Sequence, residues 1–197
     1  MDTTTTSTPK GGFYAGRICL DGKDYALIVA PKEGGEHDDA PWNENAQQIE
    51  GALSYDDGLA NTQAMAAAGS ALAQWAQGLT LGGFSDWYLP SQDELEVVYR
   101  NLKPAGGENF CYARSGINLS SQPPARPYTP ESPSQTAAEP FRAGSCEALD
   151  DEAWYWSSTQ HAANPDYAWA QLFGGGHQND FHKVLKLRAR AVRRSAI

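Results

Sequence analysis

The sequence is poor in cysteine, in positive charge and in long apolar segments, and each of these deficits excludes a class of protein. Its three cysteines, Cys19, Cys111 and Cys146, are widely spaced and form no C-x-x-C pair. Neither a disulfide-rich scaffold nor a zinc-ribbon site is therefore expected. We expect small buried thiols in a reducing compartment, with a single bridge between two of them as the alternative.

The longest apolar run, "YALIVAP" at residues 25–31, is far too short to cross a bilayer. Residues 1–12, "MDTTTTSTPKGG", lack the charged and then apolar pattern of a secretory signal peptide. We therefore expect a soluble chain that is made in the cytoplasm and has no membrane span. Residues 1–12 are predicted to be a disordered N-terminal lead, and residues 13–197 to form a single domain.

Positive charge is scarce and unevenly placed. The formal net charge is −9, whereas duplex binding depends on Lys and Arg that neutralise phosphates, so a nucleic-acid partner is disfavoured. Six of the 15 Lys and Arg residues lie within residues 183–197, which contain no Asp or Glu. We expect this basic end to pair with the acidic remainder of the chain.

The N-terminal part of the domain carries the pattern of a hairpin followed by a helix. Residues 13–20 and 25–30 are β-type runs joined across Asp21 and Gly22, a dipeptide that tolerates the positive φ angles of a tight turn. Residues 59–75 are rich in Ala and place apolar side chains at helical spacing, with Gly78 just beyond as a stop. We predict one helix there.

A second helix is predicted directly after Pro90. The sequence "SQDE" at residues 91–94 is a capping box, and an apolar stripe follows before Pro104 ends the run. Asp93 and Glu94 are adjacent carboxylates, but a first helical turn accounts for them better than acid–base catalysis does. The sequence therefore supplies no catalytic residue at this position.

The rest of the chain reads as a long loop and then strands. Residues 120–145 contain six prolines among Ser, Thr and Gln, which predicts a long, mobile Pro-rich surface loop. Residues 155–158, 167–173 and 187–194 have the pattern of β-strands. The predicted fold class is α+β, with two helices, a small antiparallel sheet and the Pro-rich loop.

Four sequence blocks resemble the Lcl C-terminal-like domain family, a bacterial and phage module. They are "GFSDWYLPSQDEL" at residues 83–95, "YWSSTQ" at 155–160, "YAWAQLF" at 167–173 and "LRARAVRR" at 187–194. The resemblance implies a C-type-lectin-like fold, related to that of the formylglycine-generating enzymes. It also implies a non-enzymatic ligand-binding domain of the kind found in adhesins, phage tail-tip proteins and the variable proteins of diversity-generating retroelements.

In those variable proteins the diversified positions lie between an aromatic strand and the closing basic strand, which corresponds here to residues 177–185. We call this segment the C-terminal tip. Its apolar residues stand among polar ones just after three glycines, a composition that suits recognition, although a hairpin whose Phe181 and Leu185 reach back to the core is equally consistent. The predicted ligand-binding residues are His161, Gln171, His177, Gln178, Asn179, Asp180, Phe181, His182, Val184 and Leu185.

Two alternatives involve metal ions. "NPD" at residues 164–166 and "QND" at residues 178–180 are similar to the paired motifs of calcium-dependent sugar-binding lectins, although Gln178 replaces the usual tryptophan. A metal-dependent oxidoreductase of the formylglycine-generating type would need Cys111 and Cys146 to approach each other. We expect neither: the predicted protein has no metal, no cofactor and no catalytic residues, and it binds a protein or glycan on a cell surface as part of a phage or surface assembly.

Overall fold

The computed structural model of the chain describes residues 10–112 and 116–197. Of the predicted disordered lead, residues 1–9 lie outside the described residues, whereas Gly12 is buried in the fold. The strands are β1 (Phe13–Leu20), β2 (Lys23–Val29), β3 (Glu36–Pro41), β4 (Trp154–Gln160), β5 (Tyr167–Leu172), β6 (Gln178–His182), β7 (Lys186–Arg190) and β8 (Val192–Ala196). The helices are α1 (Lys32–Gly35, one turn), α2 (Gly58–Ala67), α3 (Ala71–Gly78) and α4 (Gln92–Leu102).

These strands form two sheets, which confirms the α+β class. The first sheet has the order β1-β2-β8, and the second has the order β3-β7-β4-β5-β6. All pairings are antiparallel except the short parallel contact between β4 and β7. The predicted single sheet is therefore wrong in number, because the described strands divide between a three-stranded and a five-stranded sheet.

The N-terminal hairpin is confirmed. β1 and β2 pair in antiparallel register from Phe13 opposite Val29 to Leu20 opposite Lys23. Asp21 and Gly22 form the turn with φ angles of 51° and 73°. Both turn residues are thus left-handed, a conformation that gives a two-residue turn the twist of the strands it joins.

The predicted helix at residues 59–75 is two helices. α2 ends at Ala67, and α3 begins at Ala71. Gly69 has φ 92°, and the Ser70 hydroxyl accepts a hydrogen bond from the Ala73 amide, so a helix stop and a new N-cap interrupt the apolar stripe. The helical spacing of the apolar residues is confirmed, but the prediction of one continuous helix is wrong.

Helix α4 lies at the centre of the protein, and its N-terminal capping box is confirmed. The Ser91 hydroxyl accepts from the Glu94 amide, while the Glu94 carboxylate accepts from the Ser91 amide. Both faces of the helix are buried, because residues 116–128 cover the polar face. There the Glu96 carboxylate accepts hydrogen bonds from Tyr128 Oη at 2.9 Å and Asn118 Nδ2 at 2.7 Å.

The Pro-rich segment is irregular but packed. Within residues 120–145 the regular structure is a 3-10 helix at Glu139–Phe141, accompanied by isolated bridges. Tyr128 and Phe141, 4% and 1% exposed, belong to the same core cluster as α4. Most other residues of the segment are exposed, so it is an irregular stretch at the surface that these two aromatic side chains anchor to the core. Its expected mobility stays a prediction, which proteolysis tests.

The predicted closing strand at residues 187–194 is also two strands. β7 lies in the five-stranded sheet and β8 in the three-stranded sheet, with Ala191 fully buried between them. Pairing of the basic end with acidic residues is confirmed. The ion pairs are Lys186 with Asp39, Arg188 with Glu36, Asp38 and Asp150, Arg190 with Glu36 and Glu147, Arg193 with Asp86, and Arg194 with Asp57.

The three cysteines are free thiols rather than a disulfide pair. Cys111 and Cys146 are exposed and Cys19 is half-buried, so the expectation of buried thiols was wrong. Cys146 lines an acidic cavity with Glu36 and Glu147, whereas Cys111 Sγ contacts the Asn109 carbonyl. In the part of the chain that the structure describes, no helix has the length and apolar character needed to span a membrane.

Candidate ligand-binding surface around strand β6

The C-terminal tip is built on β6, which forms one edge of the five-stranded sheet and pairs with β5. Its register places Gln178 opposite Gln171, Asp180 opposite Trp169 and His182 opposite Tyr167. Residues directly opposite each other share a face of the sheet, and successive residues alternate. We call the side of the sheet that carries Tyr167, Trp169, Gln171, Gln178, Asp180 and His182 the Trp169 face.

The opposite surface is the Trp154 face. It carries Trp154 and Trp156 from β4, Ala168 and Ala170 from β5, and His177, Asn179 and Phe181 from the tip. Its centre is the apolar core that contains Trp156, Ala168 and Ala170. Its margin is at β6, where Asn179 is exposed and Phe181 is half-buried.

On the Trp169 face, two aromatic pairs follow each other along β5. The His161 ring stacks on Trp169 with centroids 5.3 Å apart and an interplanar angle of 24°, and Tyr167 meets His182 edge-on at 5.5 Å. His161 Nδ1 accepts hydrogen bonds from the amides of Ala163 and Asn164 at 3.2 and 2.9 Å, which holds the ring in place. His161 is thus held against Trp169, which lies opposite Asp180 of the tip.

Trp169 at the centre of this face is half-buried and belongs to none of the core clusters of the described residues. Its Nε1 atom is shielded from solvent and has no hydrogen-bond partner within those residues. Trp169 is thus partly accessible to solvent, whereas Trp156 is fully buried.

Gln171 lies beneath the surface rather than on it. Its side chain is 1% exposed, its Nε2 donates to the Gly176 carbonyl at 3.3 Å, and its Oε1 has no partner in the described part of the chain. Gln178 across the strand exchanges hydrogen bonds of 3.3 Å with Gln92 at the start of α4. Gln171 therefore supports the face from below, and Gln92 is a neighbour that the sequence analysis missed.

On the Trp154 face, three tip positions have different environments. His177 stacks on Phe110 with centroids 3.9 Å apart, and Phe181 meets Trp154 edge-on at 4.7 Å. Burial lowers the pKa of His177, so the neutral imidazole is favoured there. Phe181 does reach back towards the core, as the alternative interpretation of the tip allowed, and Asn179 stands exposed between these two rings.

The turn after β6 combines one buried cation with two exposed apolar residues. Lys183 is fully buried, where its Nζ donates to the Gln47 carbonyl at 2.7 Å and lies 4.6 Å from the centre of the Trp42 ring. Burial lowers its pKa to about 8. Val184 and Leu185, which follow, are 46% and 48% exposed, so Lys183 anchors a turn that displays them.

The residues that the structure describes contain no set of metal ligands for either of the two metal-binding alternatives. No group of three or more His, Cys, Asp and Glu side chains is placed to hold an ion there. The Asp166 carbonyl accepts from the Lys183 amide, whereas Asp180 lies opposite Trp169 further along the strand pair. The two motifs considered for calcium therefore do not form a common cluster of oxygen ligands.

Sequence reasoning also missed the partners of His177. Phe110 stacks on it, and Tyr112, 72% exposed, meets Phe110 edge-on at 5.3 Å. No local sequence pattern identifies these residues as part of the site, because they belong to the connection that follows α4. Their position is set by pairing across the fold, including the hydrogen bond from the Phe110 amide to the Gly175 carbonyl at 2.8 Å.

A comparison with protein families relates most of the chain to one family. No curated protein sequence matches the chain. The family profile of the Lcl C-terminal domain matches residues 37–193, a range that runs from β3 into β8 and contains the C-terminal tip. The chain therefore belongs to the Lcl C-terminal domain family.

Proposed function

We propose that this chain is a non-enzymatic module that binds a protein or a glycan on a cell surface through β6 and the turn that follows it. Its setting is a phage or prophage particle, or a bacterial surface complex, into which the chain is incorporated after synthesis in the cytoplasm. The α+β arrangement is proposed to be C-type-lectin-like. Membership of the Lcl C-terminal domain family supports this proposal.

The observation that carries the proposal is the contrast between β6 and the strands that hold it. Residues 155–160 of β4 are all buried, whereas every residue of β6 is half-buried or exposed. Side chains that must bind a partner need to be accessible and yet held in one geometry, and a rigid scaffold behind an edge strand provides both.

The composition of this surface is also that of a recognition site. Aromatic side chains stand at its centre on both faces, and Asn, Asp and Gln side chains surround them. Buried aromatic anchors inside a polar rim account for most of the binding free energy in typical interfaces.

The strongly perturbed titratable groups support a binding module rather than an enzyme. Burial raises the pKa of Glu94 to about 7, but this carboxylate is fully buried and accepts hydrogen bonds from Tyr88 Oη, the Ser91 amide and the Gly58 amide. Lys183 is buried in the same way beneath the tip. Each group stabilises the backbone around it and has no open face towards a substrate.

Binding to host-cell surfaces tests the proposal. The triple variant Asn179→Ala, Val184→Ser, Leu185→Ser changes only exposed positions of the tip. We expect it to melt within a few degrees of the parent and to bind cells at least about tenfold more weakly.

The matched control is Tyr14→Ser with Ile197→Ser, which removes exposed apolar side chains from the three-stranded sheet and should leave binding unchanged. Equal binding by the triple variant and the parent would overturn the assignment of the tip. A near-repeat of the C-terminal coding sequence beside a reverse transcriptase gene would further identify the chain as a retroelement variable protein.

A further inference from the structure

A groove of about 620 Å³ lies on the three-stranded sheet, which the proposed function leaves unused. Its floor is Ala26 and Ile28 of β2, and Tyr14 of β1 and Ile197 stand beside them, 53% and 62% exposed. Large apolar side chains that stay exposed around an apolar floor are typical of a surface that a partner covers. We call this surface the β1 groove.

A β-bulge in β1 determines which side chains reach the β1 groove. Tyr14 lies opposite Ile28, and Arg17 lies opposite Ala26, two residues earlier on β2. Residues three apart on a regular strand point to opposite faces, but the pairing of β1 shifts between Tyr14 and Gly16. The bulge therefore places an exposed aromatic side chain and a cation side by side on one face of the sheet.

A second groove, of about 440 Å³, adjoins the first across β1. The two grooves share Tyr14 and Arg17, and residues 121–126 of the Pro-rich segment line the second one. The Gln122 amide donates to the Arg17 carbonyl at 3.0 Å, and the Cys19 amide donates into the Pro-rich segment at 2.7 Å. Because these hydrogen bonds occupy the edge of β1, a partner meets side chains there rather than an open strand edge.

Cations that the fold leaves without a partner gather around these two grooves. Most Lys and Arg side chains of the chain form ion pairs or donate to carbonyl groups. Within the described residues, the cationic side chains that do neither are Lys10, Arg17, Lys23 and Arg126. Lys10 and Arg17 line the β1 groove, and Arg17 and Arg126 line the second groove.

The charge around the two grooves favours an acidic occupant. Asp24 is the acid that lines them in the described part of the chain, and Arg100 is already ion-paired within α4. Lys10, Arg17 and Arg126 therefore form a positive area on a chain whose net charge is −9. An acidic segment is attracted to this area and repelled by the rest of the surface. Three unpaired cations are few for nucleic acid, whose binding depends on many phosphate contacts.

We propose that the β1 groove docks an acidic peptide segment of a partner protein. One large apolar side chain of that segment lies over Ala26 and Ile28, and its carboxylates pair with Arg17 and the other unpaired cations. An apolar anchor inside a charged rim uses both features, whereas a small inorganic anion leaves the floor uncovered. This inference goes beyond the proposed function, because the groove would attach the chain to its assembly while the C-terminal tip binds the cell-surface ligand.

Selection from a random peptide library on the immobilised full chain is the first test. We expect the selected peptides to share one large apolar residue with Asp or Glu on both sides. Fluorescence anisotropy then measures the Kd of the strongest peptide, which should rise about tenfold or more between about 50 and 500 mM NaCl, because salt screens attraction between exposed charges. Selected peptides without acidic residues, or a Kd that salt does not change, would overturn the proposal.

Two matched charge reversals then locate the site. Arg17→Glu and Lys23→Glu each remove an exposed, unpaired cation from the same hairpin and change the net charge equally, but Lys23 lines neither groove. We expect Arg17→Glu to weaken peptide binding by about tenfold or more and Lys23→Glu by about twofold or less. Equal losses would mean that the peptide responds to net charge alone, which contradicts a docking site at the groove.

The apolar anchor is tested separately. Tyr14→Ser with Ile197→Ser removes the exposed apolar side chains beside the floor and should weaken peptide binding by about tenfold or more, with thermal melting as the check on folding. Polyglutamate has the charges without the anchor, so it should displace the peptide at least about tenfold less effectively than the unlabelled peptide does. Equal displacement would show a surface that attracts any polyanion and would overturn the proposal.

The same variants separate the groove from the tip. The Tyr14→Ser, Ile197→Ser chain should lose the peptide and still bind cells, and the triple tip variant should do the reverse. Loss of the peptide in the triple tip variant would place the peptide at the tip and overturn the docking site, whereas failure of the parent to bind cells would refute only the proposed function. Sedimentation tests a second copy as the occupant: a parent that self-associates, with a monomeric Arg17→Glu variant, would overturn the assignment to a partner protein.

Discussion

Replacing Trp156 and Trp169 separately by Ala tests whether neighbouring strands carry one core tryptophan and one surface tryptophan. Trp156 is fully buried in the cluster that includes Leu89 and Ala170, and its Nε1 donates to the Ala40 carbonyl at 2.9 Å. Trp169 is half-buried, lies outside the core clusters of the described residues, and has no partner there for its Nε1. The same change should therefore have different effects on stability.

The expected magnitudes follow from burial. Truncating a buried Trp to Ala costs about 3–5 kcal/mol, and we expect the upper end for Trp156 because the Ala40 carbonyl also loses its donor. The half-buried Trp169 loses less apolar contact and no side-chain hydrogen bond, so about 1–2 kcal/mol is expected. For a chain of 197 residues, each kcal/mol lowers Tm by about 2–4 °C.

Thermal melting followed by circular dichroism and urea unfolding measure both variants under the same conditions. We expect Tm to fall by about 10 °C or more for Trp156→Ala and by about 5 °C or less for Trp169→Ala. Equal losses would mean that Trp169 is a core residue, contrary to its partial exposure.

Further predictions concern buried charges, the Pro-rich segment and metal ions. Burial raises the pKa of Glu94 from 4.5 to about 7 in the folded chain. The contribution of the protonated carboxyl group to the free energy of unfolding is therefore complete below pH 4.5 and is lost as the pH rises through 7. Urea unfolding should show a fall of about 3 kcal/mol over this window that Glu94→Gln lacks. Arg190→Met should cost about 3–5 kcal/mol, and less when combined with Glu36→Gln, because the single change removes the nearest cation from the buried Glu36 carboxylate and leaves two carbonyls without their donor. Proteinase K should cut residues 120–145 slowly in the native chain and rapidly in Tyr128→Ala, and equal rates would mean that Tyr128 does not hold the segment. EDTA should leave Tm unchanged, and a drop that calcium reverses would restore the calcium alternative.

Features set by a few adjacent residues were predictable from the sequence. The turn at Asp21 and Gly22 depends on two residues that tolerate positive φ, and both adopt it. The capping box depends on Ser91 and Glu94 three positions apart, and both of its hydrogen bonds form. In each case the interaction that decides the structure lies within the segment itself, so the local pattern is sufficient.

Features set by pairing across the chain were not predictable in the same way. The basic run at residues 187–194 has one continuous strand pattern, yet β7 pairs with β3 and β4 while β8 pairs with β2. Ala191 lies between the two strands, and its amide donates to the Gly35 carbonyl. The alternation of side chains does not reveal a change of partner, because both strands have the same period.

In the candidate site, too, the position of a single residue depends on pairing across the chain and could not be predicted from the local sequence. The pattern of β5 places Trp169 on one face and Ala168 and Ala170 on the other, but a larger aromatic residue is ordinarily assigned to the core. The register against β6 and β4 decides otherwise: Ala168 lies opposite Phe181, and Ala170 lies opposite Trp156, so the core side is filled by side chains from the neighbouring strands. A slip of one residue would exchange Trp169 with the alanines and bury it. The partial exposure of Trp169 is therefore a consequence of strand register, and any variant that shifts the register of β5 should disrupt the packing of Ala168 and Ala170 in the core.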